Sequence, residues 1–160
     1  MLFRSAVRRV FCMGLNYHDH KKEMGITTDV PPFVFTKATP HAVGCAADRV
    51  TDIKYPTKTT NYQWECELTA VIGKTCANVS AAKANDYVWG YAVGLDMTRR
   101  DLQLWCKDNA LPWEIGKDVE QSGPVGAVVP AAKMGHPTSG ALWLTCNGAT
   151  KQKSDIGQMI

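Results

Sequence analysis

The chain has 160 residues, 45% hydrophobic and 21% charged, with a net charge of +3. That bounds it to one ordinary domain with at most a small appendage and excludes a disordered chain. The positive balance is too mild and scattered for a nucleic-acid binder, and no apolar run approaches the length of a membrane-spanning helix.

The N-terminus, MLFRSAVRRV, carries Arg4, Arg8 and Arg9, and no acidic residue precedes Asp19. Residues 1–9 read either as a short mitochondrial presequence or as a basic arm leading into the first strand. Val10 to Met13 is β-prone and ends at Gly14. NYHDHKKEMG is polar and helix-compatible, with Gly25 as its stop. PPFVFTK, ending at Lys37, reads as a strand entered from a proline turn. Residues 38–60, rich in Thr, Pro, Ala and Gly, predict loops and short strands between an N-terminal subregion and the main body.

The main body opens with a strand from Trp64 to Ile72. Ser80 is placed to cap a short helix, and Tyr87 to Leu95 predicts a second buried strand. TRRDLQLWCKDN is the clearest helix: Thr98 and Asp101 resemble a capping box, and Leu102, Trp105 and Cys106 share a face. Short strands follow from Val125 to Val129 and from Ala141 toward Gly148, the last ending in the Asn-Gly pair of a tight hairpin. The predicted class is α+β, mainly β. The six cysteines (Cys12, Cys45, Cys66, Cys76, Cys106 and Cys146) form no CxxC pair or metal-ligand spacing. They point to a reducing compartment, in which the Asn78-Val79-Ser80 sequon goes unused.

In QWECELTAVIGK, Glu65 and Glu67 interrupt an apolar strand. Residues two apart on a strand share a face, so the two carboxylates project together while Cys66 and Leu68 point the other way. Same-face carboxylates repel unless a cation lies between them, and hard oxygen ligands suit Mg²⁺, Mn²⁺ or Ca²⁺. An edge strand exposing one polar face is the alternative. Asp96, ending YAVGL just before the helix, is a third acid in a ligand-like position or a turn aspartate. Arg100 and Gln103 follow it, as functional groups or as solvated surface residues.

GLNYHDHKKEMG, PPFVFTK, ECELTAVIGK, DYVWGYAVGLDMTRRDLQ, LPWEIGK and LWLTCNGATKQ, in this order, resemble the fumarylacetoacetate hydrolase family, and most of all its acylpyruvate-cleaving branch. The resemblance runs from about residue 10 to residue 160. It implies a mixed β-roll, commonly a homodimer, with Mg²⁺ or another divalent ion held by Glu65, Glu67 and Asp96. It places a His20–Glu23 pair on a lid after the NY motif. It assigns a catalytic lysine to Lys117 and substrate contacts to Arg100, Gln103 and Lys37, the last a recurrent lysine of the family. The implied activity is metal-dependent hydrolysis of acylpyruvates to pyruvate and a carboxylic acid, with oxaloacetate decarboxylation as runner-up. His20 would serve as general base, oriented by Glu23, and Lys117, with Arg100 and Gln103, would hold the developing oxyanion. The expected partner is a small 2-oxo acid, with no nucleic acid and no membrane span, and the location is the mitochondrial matrix or the cytoplasm.

The chain departs from the family pattern in several places. Leu15 replaces the usual arginine of GRNY, Trp64 a common histidine, and Asp118 and Glu120 bring extra acid after Lys117. The sequence also stops before the family's closing strands and its Gly-Thr-Pro loop, so the domain over residues 10–160 is expected to be incomplete. A fragment of an active enzyme is the favoured reading. A catalytically lapsed homologue, kept as a structural subunit of a larger assembly, is the alternative.

Overall fold

The computed structural model describes residues 7–17 and 33–160. Their fold is α+β and mainly β, as the residue pattern predicts. Strand β1, Val10–Gly14, pairs antiparallel with β2, Phe33–Lys37, with Cys12 opposite Phe35 and Val10 opposite Lys37. Alternation along β2 turns Phe35 and Lys37 inward and Val34 outward. A lysine thus occupies an interior strand position.

The main sheet is mixed. Strands β3 (Ala42–Gly44), β5 (Cys66–Ile72), β6 (Val88–Leu95) and β8 (Gly123–Val125) lie in the order β3-β8-β6-β5, and β9 (Val129–Pro130) also pairs with β6. The β3–β8 pair is parallel and β5–β6 is antiparallel. Two short strands, β4 (Tyr62–Gln63) and β7 (Thr98–Arg99), pair beside it, placing Gln63 opposite Thr98. The predicted strand over Val125 to Val129 is therefore two strands, one ending at Val125 and the next beginning at Val129.

Strands β10 (Ala141–Cys146) and β11 (Ala149–Asp155) form the predicted hairpin. Asn147 at φ 51° and Gly148 at φ 78° make its turn, both in the left-handed region that an Asn-Gly hairpin requires. The hairpin packs on β5: Cys66, Leu142 and Ile156 form a buried cluster with Leu68, Leu95, Leu144 and Met159 against it. The Gln152 side chain accepts from Cys66 N at 2.7 Å and donates through Nε2 to Cys66 O at 3.1 Å. Both backbone groups of the residue between the two glutamates are thus held by one amide.

Helix α1 spans Arg100–Asp108. Thr98 does not cap it: Thr98 lies in β7, and its hydroxyl donates to Asp96 O at 3.1 Å. Asp101 instead accepts from Thr59 Oγ1 at 2.6 Å and Thr60 N at 3.0 Å, tying the first turn to the preceding loop. The buried face is Gln103 and Cys106, while Trp105 is exposed. Helix α2, Glu114–Lys117, packs against α1 so closely that a Cβ on Gly116 would meet Gln103 N at 2.7 Å. A third short helix, α3, covers Ala131–Met134. Among the described residues, no helix is long and apolar enough to cross a membrane.

Candidate metal centre

Two of the acids are brought together by the backbone. Strand β5 begins at Cys66 rather than Trp64, leaving Glu65 just ahead of it, and Asp96 lies just past the end of β6. The Asp96 N–H donates to Glu65 O at 2.8 Å, extending the antiparallel ladder by one bond. Glu67 lies opposite Gly94, which has no side chain to compete for space on that face. Glu65, Glu67 and Asp96 each offer a carboxylate oxygen, and these oxygens lie within 4.8 Å of one another.

Three cations surround the acids. Lys117 Nζ donates to Glu65 Oε2 at 2.8 Å and to Asp96 Oδ2 at 2.6 Å. Arg100 contacts Glu65 Oε1 through Nη2, Gln63 Oε1 through Nε at 2.9 Å and Gln103 Oε1 through Nη1 at 2.9 Å. Lys37 Nζ lies 2.8 Å from Asp96 Oδ1. That contact is an ion pair, and Asp96 Oδ1 accepts no hydrogen bond among the described residues. Lys117, Lys37, Gln103 and Asp96 are all at most 3% exposed.

The electrostatics separate the two glutamates. Burial would raise the Glu65 carboxyl, but the charges and hydrogen bonds of Lys117 and Arg100 outweigh it and hold Glu65 below its ordinary value. Burial would likewise lower Lys117, and Glu65 and Asp96 keep it raised instead. Glu67 has no cation in ion-pair contact among the described residues. Burial, then the charges of Asp96 and Glu65, push it up to about 8. Cys12, on the inner face of β1, is pushed up to about 12 by burial and by the charges of Asp96 and Glu67.

This gives a pH dependence of stability with a defined sign. An unfolded glutamate loses its proton near 4.5, whereas folded, metal-free Glu67 keeps it to about 8. The protonated carboxyl's contribution is fully present below the lower value and is lost as pH rises through the upper one. Thermal melts in chelator are expected to show a lower Tm at pH 9 than at pH 6, the decline running up to Glu67's folded value of about 8 and levelling off above it. A Tm independent of pH over that interval would contradict the assignment.

The donor set fits a hard divalent cation. All three groups offer oxygen, Asp96 Oδ1 is buried and accepts no hydrogen bond among the described residues, and burial with two neighbouring acids pushes Glu67 up to about 8. The site opens on a cavity lined by Leu15, Tyr17, Phe35, Trp64, Trp113 and Met159. Phe35 lies beneath the Lys117 ammonium, 5.2 Å from ring centroid to Nζ, a cation–π contact.

Of the residues singled out in the sequence, Glu65, Glu67, Asp96, Lys117, Arg100, Gln103 and Lys37 converge here. His20 and Glu23, with the polar segment that carries them, lie outside the described residues. Asp118 is directed away from the acids, accepting from Ala38 N at 2.8 Å and pairing with His41 Nδ1 at 2.5 Å, and Glu120 is exposed. The extra acid after Lys117 therefore does not face the centre. Ser122 and Gln63 were not anticipated. Gln63, beside Trp64, had no signal beyond its polarity ahead of the Glu-x-Glu pair.

A mainly β domain with three carboxylates on adjoining strand ends, ringed by buried lysines and an arginine, defines a carboxylate-based cation centre. The sequence pattern described as "Fumarylacetoacetate (FAA) hydrolase C-terminal" matches residues 9–160, and the chain belongs to the fumarylacetoacetate hydrolase family. It is 40% identical over 153 residues to the mitochondrial oxaloacetate tautomerase FAHD1 of Bos taurus, covering 96% of this chain and 67% of that protein. It is 41% identical over 128 residues to a fumarylpyruvate hydrolase of Ralstonia sp, covering 80% and 64% respectively. Among solved structures, the fumarylpyruvate hydrolase of Pseudomonas aeruginosa in complex with Mn²⁺ and pyruvate matches with a TM-score of 0.92 and 46% identity, over 96% of this chain and 66% of that one. The chain thus spans about two thirds of the length of these relatives.

Proposed function

We propose that this chain carries the metal centre of a divalent-metal-dependent hydrolase that cleaves the C–C bond of acylpyruvates to pyruvate and a carboxylic acid. The observation that carries this reading is the grouping of Glu65, Glu67 and Asp96 with the buried Lys117 and with Arg100. It is supported by a relative, 46% identical, solved with Mn²⁺ and pyruvate. Mg²⁺ is the proposed physiological ion, with Mn²⁺ and Ca²⁺ as substitutes of the same chemistry. A homodimer in the mitochondrial matrix is the proposed setting, the location following the mitochondrial relatives.

Glu65, Glu67 and Asp96 would hold the ion, which when bound supplies Lewis-acid chemistry suited to a departing enolate. Arg100, held in orientation by Gln63 and Gln103, supplies positive charge for the substrate carboxylate. Lys117 presents an ammonium kept charged by its neighbours, suited to the negative charge that develops at the substrate oxygen. Gln103, whose Oε1 accepts from Arg100, would offer its amide N–H groups to that oxygen. His20, made more basic by Glu23, is the proposed base that activates water.

A second reading, decarboxylation or tautomerisation of oxaloacetate, draws on the relatives of those names, including an oxaloacetate decarboxylase of Dictyostelium discoideum at 34% identity. Oxaloacetate shares the 2-oxo-acid end, so the same carboxylates and Lys117 would serve it. Pyruvate release from acetylpyruvate and from oxaloacetate, together with the ultraviolet absorbance of the oxaloacetate enol, each with Mg²⁺ and with chelator, separates the readings. Turnover that persists in chelator would overturn both. His20→Ala is expected to reduce acetylpyruvate hydrolysis by about 10²–10⁴, with Mn²⁺ affinity unchanged. Hydrolysis that survives the substitution would remove His20 from the mechanism.

A further inference from the structure

The resemblance suggests a substrate contact for Lys37, and the structure gives that side chain other partners. We infer that Lys37 is a positioning residue: it is the buried post that fixes Asp96 relative to Lys117, and Ser122 completes the brace. The inference rests on the metal-centre reading.

Lys37 is 3% exposed, on the inward face of β2. Its Nζ donates to Met97 O at 3.2 Å, to Lys117 O and to Ser122 Oγ at 3.1 Å. Those three bonds use the three protons of an ammonium, with Asp96 Oδ1 as the neighbouring counter-charge at 2.8 Å. Nothing remains to donate to a substrate. A planar guanidinium could not reproduce three donors converging from one nitrogen.

Ser122 is fully buried, and its hydroxyl links the same groups. It donates to Lys117 O at 3.2 Å and accepts from Val119 N at 3.3 Å as well as from Lys37. Met97 N donates to Ser122 O at 2.9 Å, so the segment bearing Asp96 is also tied to this turn through its backbone. The neighbouring residues repeat the connection, because Asp118 Oδ1 accepts from Ala38 N and pairs with His41. Three chain segments, far apart in sequence, therefore meet at one ammonium. Two of them carry Asp96 and Lys117.

Charge and position predict opposite signs for the loss of Lys37. If Lys37 were only a positive charge beside the acids, removing it would strengthen cation binding. If it holds Asp96 in place, removing it weakens binding, by the roughly 10–100-fold typical of groups that orient a metal ligand. The test is Mn²⁺ titration followed by electron paramagnetic resonance on the full-length protein, without substrate, for wild type, Lys37→Met, Lys37→Arg and Ser122→Ala. A wild type that binds no Mn²⁺ overturns the metal-centre reading itself and this inference with it. Given wild-type binding, the inference expects weaker binding in all three variants, with Ser122→Ala, which alters no charge, the mildest. It also expects kcat for acetylpyruvate to fall in Lys37→Met with KM little changed. Tighter Mn²⁺ binding in Lys37→Met, or a raised KM with kcat and Mn²⁺ affinity retained, overturns it. If Lys37→Met does not fold, Ser122→Ala decides: wild-type Mn²⁺ affinity in that variant overturns the inference.

Discussion

Glu67→Gln is expected to make the metal-free protein more stable and to abolish metal-dependent turnover. Glu67 is the one member of the acid trio with no cation in ion-pair contact among the described residues, and burial together with Asp96 and Glu65 drives its carboxyl toward the neutral form. An amide of the same shape carries no charge to repel those neighbours, so the metal-free melt should rise, most of all above pH 8. The amide is a poor replacement for a hard anionic ligand, so Mn²⁺ affinity should fall below detection in a micromolar titration. Asp96→Asn provides the contrast. Asp96 pairs with two buried lysines, and removing one partner of a buried pair costs about 3–5 kcal/mol. That variant should lose both stability and metal. Melts with and without Mn²⁺ check both expectations. A Glu67→Gln protein that keeps its Mn²⁺-induced rise in Tm would remove Glu67 from the ligand set.

Lys117→Met should separate turnover from metal binding. The ammonium bonds Glu65 and Asp96 in this structure, so its loss leaves two carboxylates with less positive charge around them. The metal-free protein should lose stability on the buried-pair scale. A bound cation restores much of this by mass action, so the Mn²⁺-induced rise in Tm should be larger in the variant than in wild type. Turnover should fall about 10²–10³-fold, the loss associated with removing one donor to a developing oxyanion. Wild-type turnover in Lys117→Met would place the oxyanion elsewhere.

Much of the centre could be read from motif residues because its chemistry lies in side chains that the chain places by simple rules. Strand alternation puts Glu65 and Glu67 on one face, and the strand–helix junction puts Asp96 beside a helix start. The fold class followed from short β-prone runs between turn residues, and the hairpin at Asn147-Gly148 from its backbone requirement for positive φ. The failures have a common cause, since each depends on a partner distant in sequence. Thr98 has the residue type of a cap, but pairing of β7 with β4 takes it into a strand, and Thr59 and Thr60 engage Asp101 instead. Trp105 shares a helical face with Leu102 on a wheel, yet the surface that α2 covers is the one bearing Gln103 and Cys106. Lys37 shares the inward register of Phe35, which alternation could have revealed. The carbonyls and hydroxyl that receive it lie 60 to 85 residues away. Asp118 looked hazardous to an anion site because its direction is set by Ala38 and His41, which no local pattern connects to it.

The backbone bond from Asp96 N to Glu65 O separates two things that could otherwise vary together. The spacing of two acids is set by peptide geometry, so side-chain replacement at either position changes what the centre holds without moving its frame. The walls are under no such constraint. Leu15 and Trp64 line the same cavity, and neither takes part in that backbone bond. In such an architecture, new substrates are reached by editing the cavity lining while the acid pair stays fixed, as a lathe keeps its chuck and changes its tool.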